Sequence, residues 1–183
     1  MNIINMKCNR ITNPLGYNIT KPVLSWITKG EDAKVQLACQ VLVASDEGFT
    51  NILHDSGKSE DIDGIGYTLD IPLRPSFKYY WKVQVWTECG EITSPASWFE
   101  TSKMNEPWVG KWITPDVEDK SIHPLLRKTF FLNKEIEQAR LYICGLGLYE
   151  AEINGEKVGE EYLTPYCNSY NNWIQYQTFD VTK

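Results

Sequence analysis

The segment KYYWKVQVWT, residues 78–87, alternates strictly between two kinds of side chain. The residues of one face are all aromatic or aliphatic: Tyr79, Trp81, Val83 and Val85. The residues of the other face are more polar: Tyr80, Lys82, Gln84 and Trp86. Successive side chains of a β-strand point to opposite faces, so a period of two predicts a strand with one buried face. We therefore expect a long strand over residues 78–87.

Similar segments flank this one. A second long strand is predicted over residues 35–43, with an inner face of Val35, Leu37, Cys39, Val41 and Val43. Shorter strands are expected at 22–26, 67–69 and 97–101, and a strand that runs into a turn is expected over 52–58. Turn residues such as Gly30-Glu31-Asp32 and Glu88-Cys89-Gly90-Glu91 separate them. Six or seven strands in about 100 residues, without a helical period, are typical of an immunoglobulin-like or fibronectin III-like β-sandwich.

The polar stretch at residues 102–107 predicts a domain boundary. We expect one domain over residues 1–102 and a second over residues 108–183, with Trp108 and Trp112 covering the edge of the second. Its predicted strands lie at 125–132, 140–144, 148–153 and 173–181. With the return strand of the hairpin at Asn154-Gly155 these make about five strands. That number is small for a closed sandwich, so the core is expected to be incomplete and a sheet edge exposed.

Asn154-Gly155 lies between Ile153 and Val158. This dipeptide supplies the two positive-φ residues of a type I′ turn and is a strong short-range hairpin signal. On the strand before it, Tyr149, Ala151 and Ile153 are expected to face inward. Gly145 and Gly147 predict a bend between this strand and the preceding one.

Composition bounds the function. The chain has 183 residues, 42% of them hydrophobic, and a net charge of −6. It has no basic stripe, which argues against nucleic acid or an anionic membrane surface as a partner. No apolar run approaches the roughly 20 residues of a membrane helix, and the first ten residues lack the apolar core of a signal peptide. Five cysteines without a C-x-x-C pair favour a reducing, cytoplasmic location, with Cys39 and Cys144 as small core residues.

The sequence offers little catalytic chemistry, and no cofactor or metal is expected. His54 and His123 are far apart. Glu150 and Glu152 share one face of a predicted strand, about 7 Å apart, and paired carboxylates can hydrolyse a glycosidic bond. A solvated outer face explains them better. Cys167 has no base near it in sequence and is expected to be an ordinary thiol.

The remaining acidic groups are expected to be solvated loops. Carboxylates can supply oxygen ligands for Ca²⁺, but none of these groups has the spacing of an EF-hand. The groups are Glu160 with Glu161, Asp61 with Asp63, and Asp116 with Glu118 and Asp119.

The loop over residues 166–173 is the strongest candidate binding site. It mixes aromatic rings, which can stack on a sugar, with amide side chains, which can bond its hydroxyl groups. The candidate carbohydrate-binding residues are Tyr166, Tyr170, Trp173 and Asn171. A loop whose rings cap the sandwich core is the simpler alternative.

Many segments resemble the N-terminal region of bacterial α-L-rhamnosidases, glycoside hydrolase family 78. In the first half these are residues 13–16, 22–26, 55–58, 80–86 and 98–101. In the second half they are Trp112-Ile113, the Gly-Leu-Gly-Leu-Tyr-Glu stretch at 145–150 with its hairpin, and Tyr176 to Thr182. They cover nearly the whole chain in the order in which the family has them.

The resemblance implies an immunoglobulin-like domain followed by the first part of a jelly-roll-like domain. The family releases terminal L-rhamnose from glycosides by inversion, with its acid and base in an (α/α)₆ barrel further along the polypeptide. No family catalytic residue falls on these 183 residues. The chain is therefore expected to be inactive alone and to be a cut piece of a longer enzyme, with rhamnosides and the downstream catalytic domain as partners.

Three hypotheses remain open at this point. The first is a non-catalytic rhamnosidase region that acts as a scaffold and has a weak sugar site. The second is a stand-alone pair of sandwiches that binds another protein through an exposed edge strand. The third, a free-standing hydrolase that uses Glu150 and Glu152, is the least favoured.

Overall fold

The computed structural model describes residues 1–30, 35–119 and 121–182. The chain divides into two compact units, Met1–Asn105 (unit 1) and Glu106–Lys183 (unit 2). All regular structure in the described residues is β-strand. Two details of the sequence predictions, the break at Glu31-Asp32 and the end at Lys183, lie outside the described residues.

Two sheets build unit 1. Its strands in the described residues are β1 (Asn2–Cys8), β2 (Leu15–Tyr17), β3 (Val23–Lys29), β4 (Gln36–Ala44), β5 (Ile52–Asp55), β6 (Tyr67–Thr68), β7 (Lys78–Thr87), β8 (Gly90–Thr93) and β9 (Ser97–Thr101). The smaller sheet has the order β1-β3-β6, and the larger has the order β2-β9-β7-β4-β5. β8 and β9 both pair with β7, along Gln84–Thr87 and Lys78–Trp81 respectively.

The core of unit 1 lies between these sheets. The inner face of β7 is buried as predicted, with Trp81, Val83 and Val85 all 0% exposed. Cys8 and Leu24 join the same cluster from the smaller sheet, as do other side chains from both sheets. Each fully buried aliphatic or aromatic side chain contributes about 1.5–3 kcal/mol, so this core can hold the domain together.

The predicted inner face of β4 is correct only from Cys39 onward. Val35 and Leu37 are 55% and 52% exposed, whereas Ala38 is buried. The reason is a register shift between Gln36 and Ala38 in the pairing with β7. An extra residue in one strand reverses which side chains face the core.

β1, β2 and β8 were not predicted, and Gly90-Glu91, predicted as part of a turn, begin β8. Ile3, Met6 and Cys8 are the buried positions of β1, and they do not follow a period of two because the register against β3 shifts between Ile4 and Lys7. Asn5, within that shift, has a φ of 52°. A bulge of this kind hides a strand from pattern analysis.

Unit 2 has short strands. In the described residues these are β10 (Arg140–Ile143), β11 (Glu152–Ile153), β12 (Glu156–Lys157) and β13 (Gln177–Asp180). β10 pairs with β13, and β11 pairs with β12 across Asn154-Gly155. Asn154 and Gly155 have φ values of 55° and 82°, so the predicted turn with two positive-φ residues is confirmed.

Two predicted strands of unit 2 are wrong in extent. The segment predicted over 148–153 pairs as a strand only at β11, and Tyr149 instead makes an isolated bridge to Thr164. The strand predicted over 173–181 is only β13. Residues 125–132 form no strand within the described residues. A strand needs a neighbouring segment to accept and donate its backbone hydrogen bonds, and no described segment pairs with 125–132.

The residues of unit 2 are far more exposed than those of unit 1. Thr164 and Pro165 are its only buried residues among 106–119 and 121–182. Trp108 is 47% exposed and contacts the Tyr176 ring edge-on, with 5.3 Å between centroids, whereas Trp112 is 63% exposed. In the part of the chain that the structure describes, no helix is long and apolar enough to cross a membrane.

Candidate functional site

The candidate carbohydrate-binding loop begins at a buried anchor. Thr164, 6% exposed, exchanges two hydrogen bonds with the backbone of Tyr149. The Tyr149 N–H donates to the Thr164 carbonyl at 2.9 Å, and Thr164 Oγ1 donates to the Tyr149 carbonyl at 2.9 Å. The start of the loop is therefore held against the segment that precedes β11.

A tight turn shapes the middle of the loop. The N–H groups of Asn172 and Trp173 both donate to the Ser169 carbonyl, at 2.7 and 2.8 Å. The Gln175 N–H donates to Asn168 Oδ1 at 2.9 Å. These bonds use local backbone groups and polar side chains, so the loop is ordered by its own sequence.

Tyr170 joins the loop to the glycine bend. Its Oη accepts a hydrogen bond from the Gly147 N–H at 3.0 Å. Gly147 has a φ of 108°, a conformation that side chains rarely adopt. A Cβ on Gly145 would lie 2.6 Å from the Tyr149 ring, so both glycines are required by this backbone. The sequence predicted the bend, but it had no signal for the contact with Tyr170.

The three candidate rings are all accessible. Tyr166, Tyr170 and Trp173 are 56%, 53% and 51% exposed, and no ring contact among these three occurs in the described residues. Asn171 is also exposed, and its side chain has no hydrogen-bond partner within the described part of the chain. The structure thus places all four candidate residues on one ordered loop, with three separate ring faces and a free amide.

Behind the loop, Tyr149 is partly buried. Its hydroxyl donates a short hydrogen bond to Gln177 Oε1 on β13. Burial raises the pKa of Tyr149 to about 12, because an ionised phenol is poorly solvated there. Tyr149 therefore stays protonated near neutral pH and connects the glycine-bend segment to β13.

The two carboxylates proposed for hydrolysis are both exposed. Glu150 forms an ion pair with Lys157, with 2.9 Å between Oε2 and Nζ. The hydrogen bond to Glu150 raises the pKa of Lys157, and this ammonium also lies 4.1 Å from the Tyr162 ring centroid. Glu152 pairs through its backbone with Lys157. The Glu150 carboxylate is thus engaged by Lys157 at the surface of the hairpin, which favours the solvated outer face expected from the sequence.

The other candidate groups are loop features. Asp63 and Asp119 accept hydrogen bonds from backbone N–H groups two residues further on. In the described residues no three His, Cys, Asp or Glu side chains are arranged to hold a metal ion. Cys167 is exposed. Cys144, predicted to be a core residue, is only partly buried and donates to the Gln175 carbonyl at 3.2 Å.

Comparison with known proteins identifies the family. Residues 3–105 match the sequence profile of the Rha78A-like N-terminal immunoglobulin domain, which covers more than half of the chain. This chain belongs to the α-L-rhamnosidase family. Residues 134–183 match a second profile, that of the α-L-rhamnosidase N-terminal domain. The predicted all-β class, with an immunoglobulin-like domain first, is confirmed.

An α-L-rhamnosidase of Formosa agariphila is 31% identical over 96% of this chain. The chain covers only 22% of that relative's length, so it corresponds to the N-terminal region of a much longer protein. The structure of an α-L-rhamnosidase from Dictyoglumus thermophilum matches all of this chain, with a TM-score of 0.83 and 33% identity, and the match covers 23% of that structure.

A third comparison supports the fold. The structure of a Streptomyces avermitilis α-L-rhamnosidase, solved in complex with L-rhamnose, matches 98% of this chain with a TM-score of 0.54 and 24% identity. The match covers 20% of that α-L-rhamnosidase. At this identity the likeness concerns the β architecture.

Proposed function

We propose that this chain is the N-terminal accessory region of an enzyme that removes terminal L-rhamnose from glycosides. The proposal rests chiefly on the two N-terminal family profiles matched in order by one chain. The ion pair of Glu150 with Lys157 supports placing the chemistry elsewhere in the polypeptide. The chain itself then contributes structure and substrate approach, and its enzymatic partner is the catalytic domain of the same polypeptide.

Unit 1 is proposed to be a scaffold. Its two sheets enclose one apolar core. Unit 2 is proposed to be the first part of a jelly-roll-like domain. Its few short strands support this, as does the burial of only one apolar residue, Pro165, among the described residues, because an independent domain buries many such groups.

The aromatic loop is proposed to be a weak sugar site. Its ring faces at Tyr166, Tyr170 and Trp173 and the free amide of Asn171 suit the C–H faces and hydroxyl groups of a terminal sugar. Titration of the chain with L-rhamnose, followed by tryptophan fluorescence, tests this. We expect a saturable change with a Kd in the millimolar range (about 4 kcal/mol of binding) that Trp173→Ala removes. Trp112→Ala is the matched control.

A protein-interaction module is the second candidate function. It is favoured by the large exposed apolar side chains of unit 2, such as Leu125 at 92% and Phe131 at 87%, because exposed apolar surface often marks an interface. A stand-alone module of this kind would bind a separate protein. It would not be continued into a catalytic domain.

The encoding DNA, read past the codon of Lys183, separates the two candidates. The proposal predicts an open frame that continues into several hundred residues of helical hairpins, in line with the 22% coverage of the relative. A stop codon directly after Lys183 would contradict it. The 183-residue chain should then show no turnover of an aryl α-L-rhamnoside, whereas the longer polypeptide should hydrolyse it.

Composition supports three further proposals about partners and location. The net charge of −6 disfavours nucleic acid and anionic membranes as partners. The five cysteines are free thiols, which fits a reducing cytoplasm. Each of these stays a prediction.

A further inference from the structure

The turn between β11 and β12 joins a carboxamide side chain directly to a residue without a side chain. Asn154 is the only asparagine in the sequence that is followed by glycine. Both residues of the turn are exposed, and a Cβ on Gly155 would meet no atom within 4 Å. Within the described residues, neither the Asn154 side chain nor the Gly155 N–H makes a hydrogen bond. The carboxamide and the neighbouring backbone nitrogen are therefore both available for reaction.

We propose that Asn154 is a site of spontaneous deamidation, through a cyclic imide formed with the Gly155 nitrogen. Hydroxide removes the Gly155 N–H proton, and the nitrogen attacks the carbonyl carbon of the Asn154 side chain. A new carbon–nitrogen bond closes a five-membered ring, the side-chain amide bond breaks, and the amide group leaves as ammonia with a proton from water. Water then opens the ring at one of its two carbonyl carbons and gives aspartate or isoaspartate. Water is the only reactant consumed.

The structure of the hairpin favours this reaction. The attack requires the turn to change conformation, and a type I′ turn is held by the pairing of its flanking strands. That pairing is short, because β11 and β12 contribute two residues each and one further bond joins the Val158 N–H to the Ala151 carbonyl at 2.8 Å. A hairpin of this size opens readily. Gly155, without a Cβ, places no side chain in the path of the attacking nitrogen.

Deamidation changes both the charge and the backbone of the hairpin. A carboxylate at position 154 joins those of Glu152 and Glu156, which flank the turn. Isoaspartate also inserts a methylene group into the backbone, so the two-residue turn no longer fits the register that pairs Ile153 with Glu156. The modification should therefore loosen the pairing of β11 with β12.

Asn168 is a matched control in the same unit. It is followed by the small residue Ser169, but its Oδ1 accepts a hydrogen bond from the Gln175 N–H at 2.9 Å, and its Nδ2 is buried. The carboxamide of Asn168 must break that bond before it can turn toward the next backbone nitrogen. The folded chain should therefore modify Asn154 and leave Asn168 intact.

Peptide mass spectrometry of the folded 183-residue chain, after incubation in mildly alkaline buffer, tests the proposal. The tryptic peptide that ends at Lys157 should gain about 1 Da, located at Asn154 by fragmentation, and isoaspartate should exceed aspartate. The rate should rise with pH, because the deprotonated nitrogen attacks. Asn154→Gln should remove the mass gain, because a six-membered ring closes more slowly. The amides of β12 should exchange faster in the modified fraction than in the unmodified one.

The same incubation in urea separates the effect of the fold from that of the sequence, and both Asn154 and Asn168 should react there. An Asn154 that is modified in urea but intact in the folded chain would mean that the turn protects it, and would overturn the inference. Equal rates at Asn154 and Asn168 in the folded chain would contradict the selectivity. Aspartate as the only product would indicate direct hydrolysis and exclude the cyclic route. None of these outcomes depends on the proposed function.

Discussion

The two units of this chain put similar residues to opposite uses. In unit 1, Trp81 and Phe99 are 0% exposed and lie between two sheets. In unit 2, Trp112 and Phe131 are 63% and 87% exposed. The apolar content of a segment therefore does not decide whether it forms a core. What decides is whether the same stretch of chain supplies the second layer against which the side chains pack.

Removal of a core side chain should have the largest effect and should be confined to unit 1. Trp81→Ala deletes a fully buried indole, and such changes cost about 3–5 kcal/mol. Denaturant unfolding followed by circular dichroism should show the loss. Trp112→Ala, at 63% exposure, should change the free energy of unfolding by less than about 0.5 kcal/mol. If both variants lost a similar amount of unfolding free energy, the two units would not differ in the way proposed.

The stability of unit 2 should depend instead on an ion pair between two of its strands. The Arg140 side chain is 8% exposed and pairs with Asp180 at 2.8 Å, across the β10–β13 ladder. Arg140→Met should reduce the stability of unit 2 by about 1–2 kcal/mol, because a charged hydrogen bond is lost. The exposed pair of Lys157 with Glu150 is the control, and Lys157→Met should reduce the stability much less, because water screens an exposed ion pair. Exchange rates of the β13 amides would measure both, and equal effects would contradict the assignment.

The β11–β12 turn offers a smaller test. Gly155 has a φ of 82°, and a Cβ there would meet no atom within 4 Å, so Gly155→Ala introduces backbone strain without a clash. We expect a loss of about 1 kcal/mol. Gly110→Ala, which also has open space and no positive φ, should leave the thermal transition unchanged. If the two variants behave alike, the turn carries no strain.

The thiols should distinguish the core of unit 1 from the exposed surface of both units. Burial raises the pKa of Cys8 and of Cys39 to about 12, from an ordinary value of 9.0. Because folding favours the protonated form, any stabilisation from these groups is complete below about pH 9 and is lost as the pH rises from 9 to 12. At pH 8 a thiol reagent should therefore label the exposed Cys89 and Cys167 first. Early labelling of Cys39 would mean that the core of unit 1 opens readily.

The sequence revealed the fold wherever local pattern and pairing agree. β7 and β9 were predicted at their observed ends. The alternation of β7 runs unbroken over ten residues, and β9 pairs with it along Lys78–Trp81. β1 and the start of β4 were missed or misread because a register shift reverses the pattern partway. A strand was predicted at 125–132 because the segment is rich in aliphatic and aromatic residues. It is not a strand here, because no described segment pairs with its backbone.

The residue types and the exposure of the candidate site could be predicted from the sequence. The contacts that fix its geometry could not. The exposed rings of Tyr166 and Trp173 follow from an aromatic, asparagine-rich loop. The bond from the Gly147 N–H to Tyr170 joins residues 23 positions apart, and the ion pair of Lys157 with Glu150 crosses the hairpin. Contacts between different segments depend on chain folding and leave no short-range signal in the sequence.

Limited proteolysis of the 183-residue chain, with the fragments identified by mass spectrometry, tests the contrast between the units most directly. The account predicts that trypsin first cuts at the exposed Lys111, Arg127, Lys128 and Lys134, and that a fragment ending near Asn105 then persists. Cleavage within β4 or β7 at the same rate, or a unit 2 that resists as long as unit 1, would contradict it.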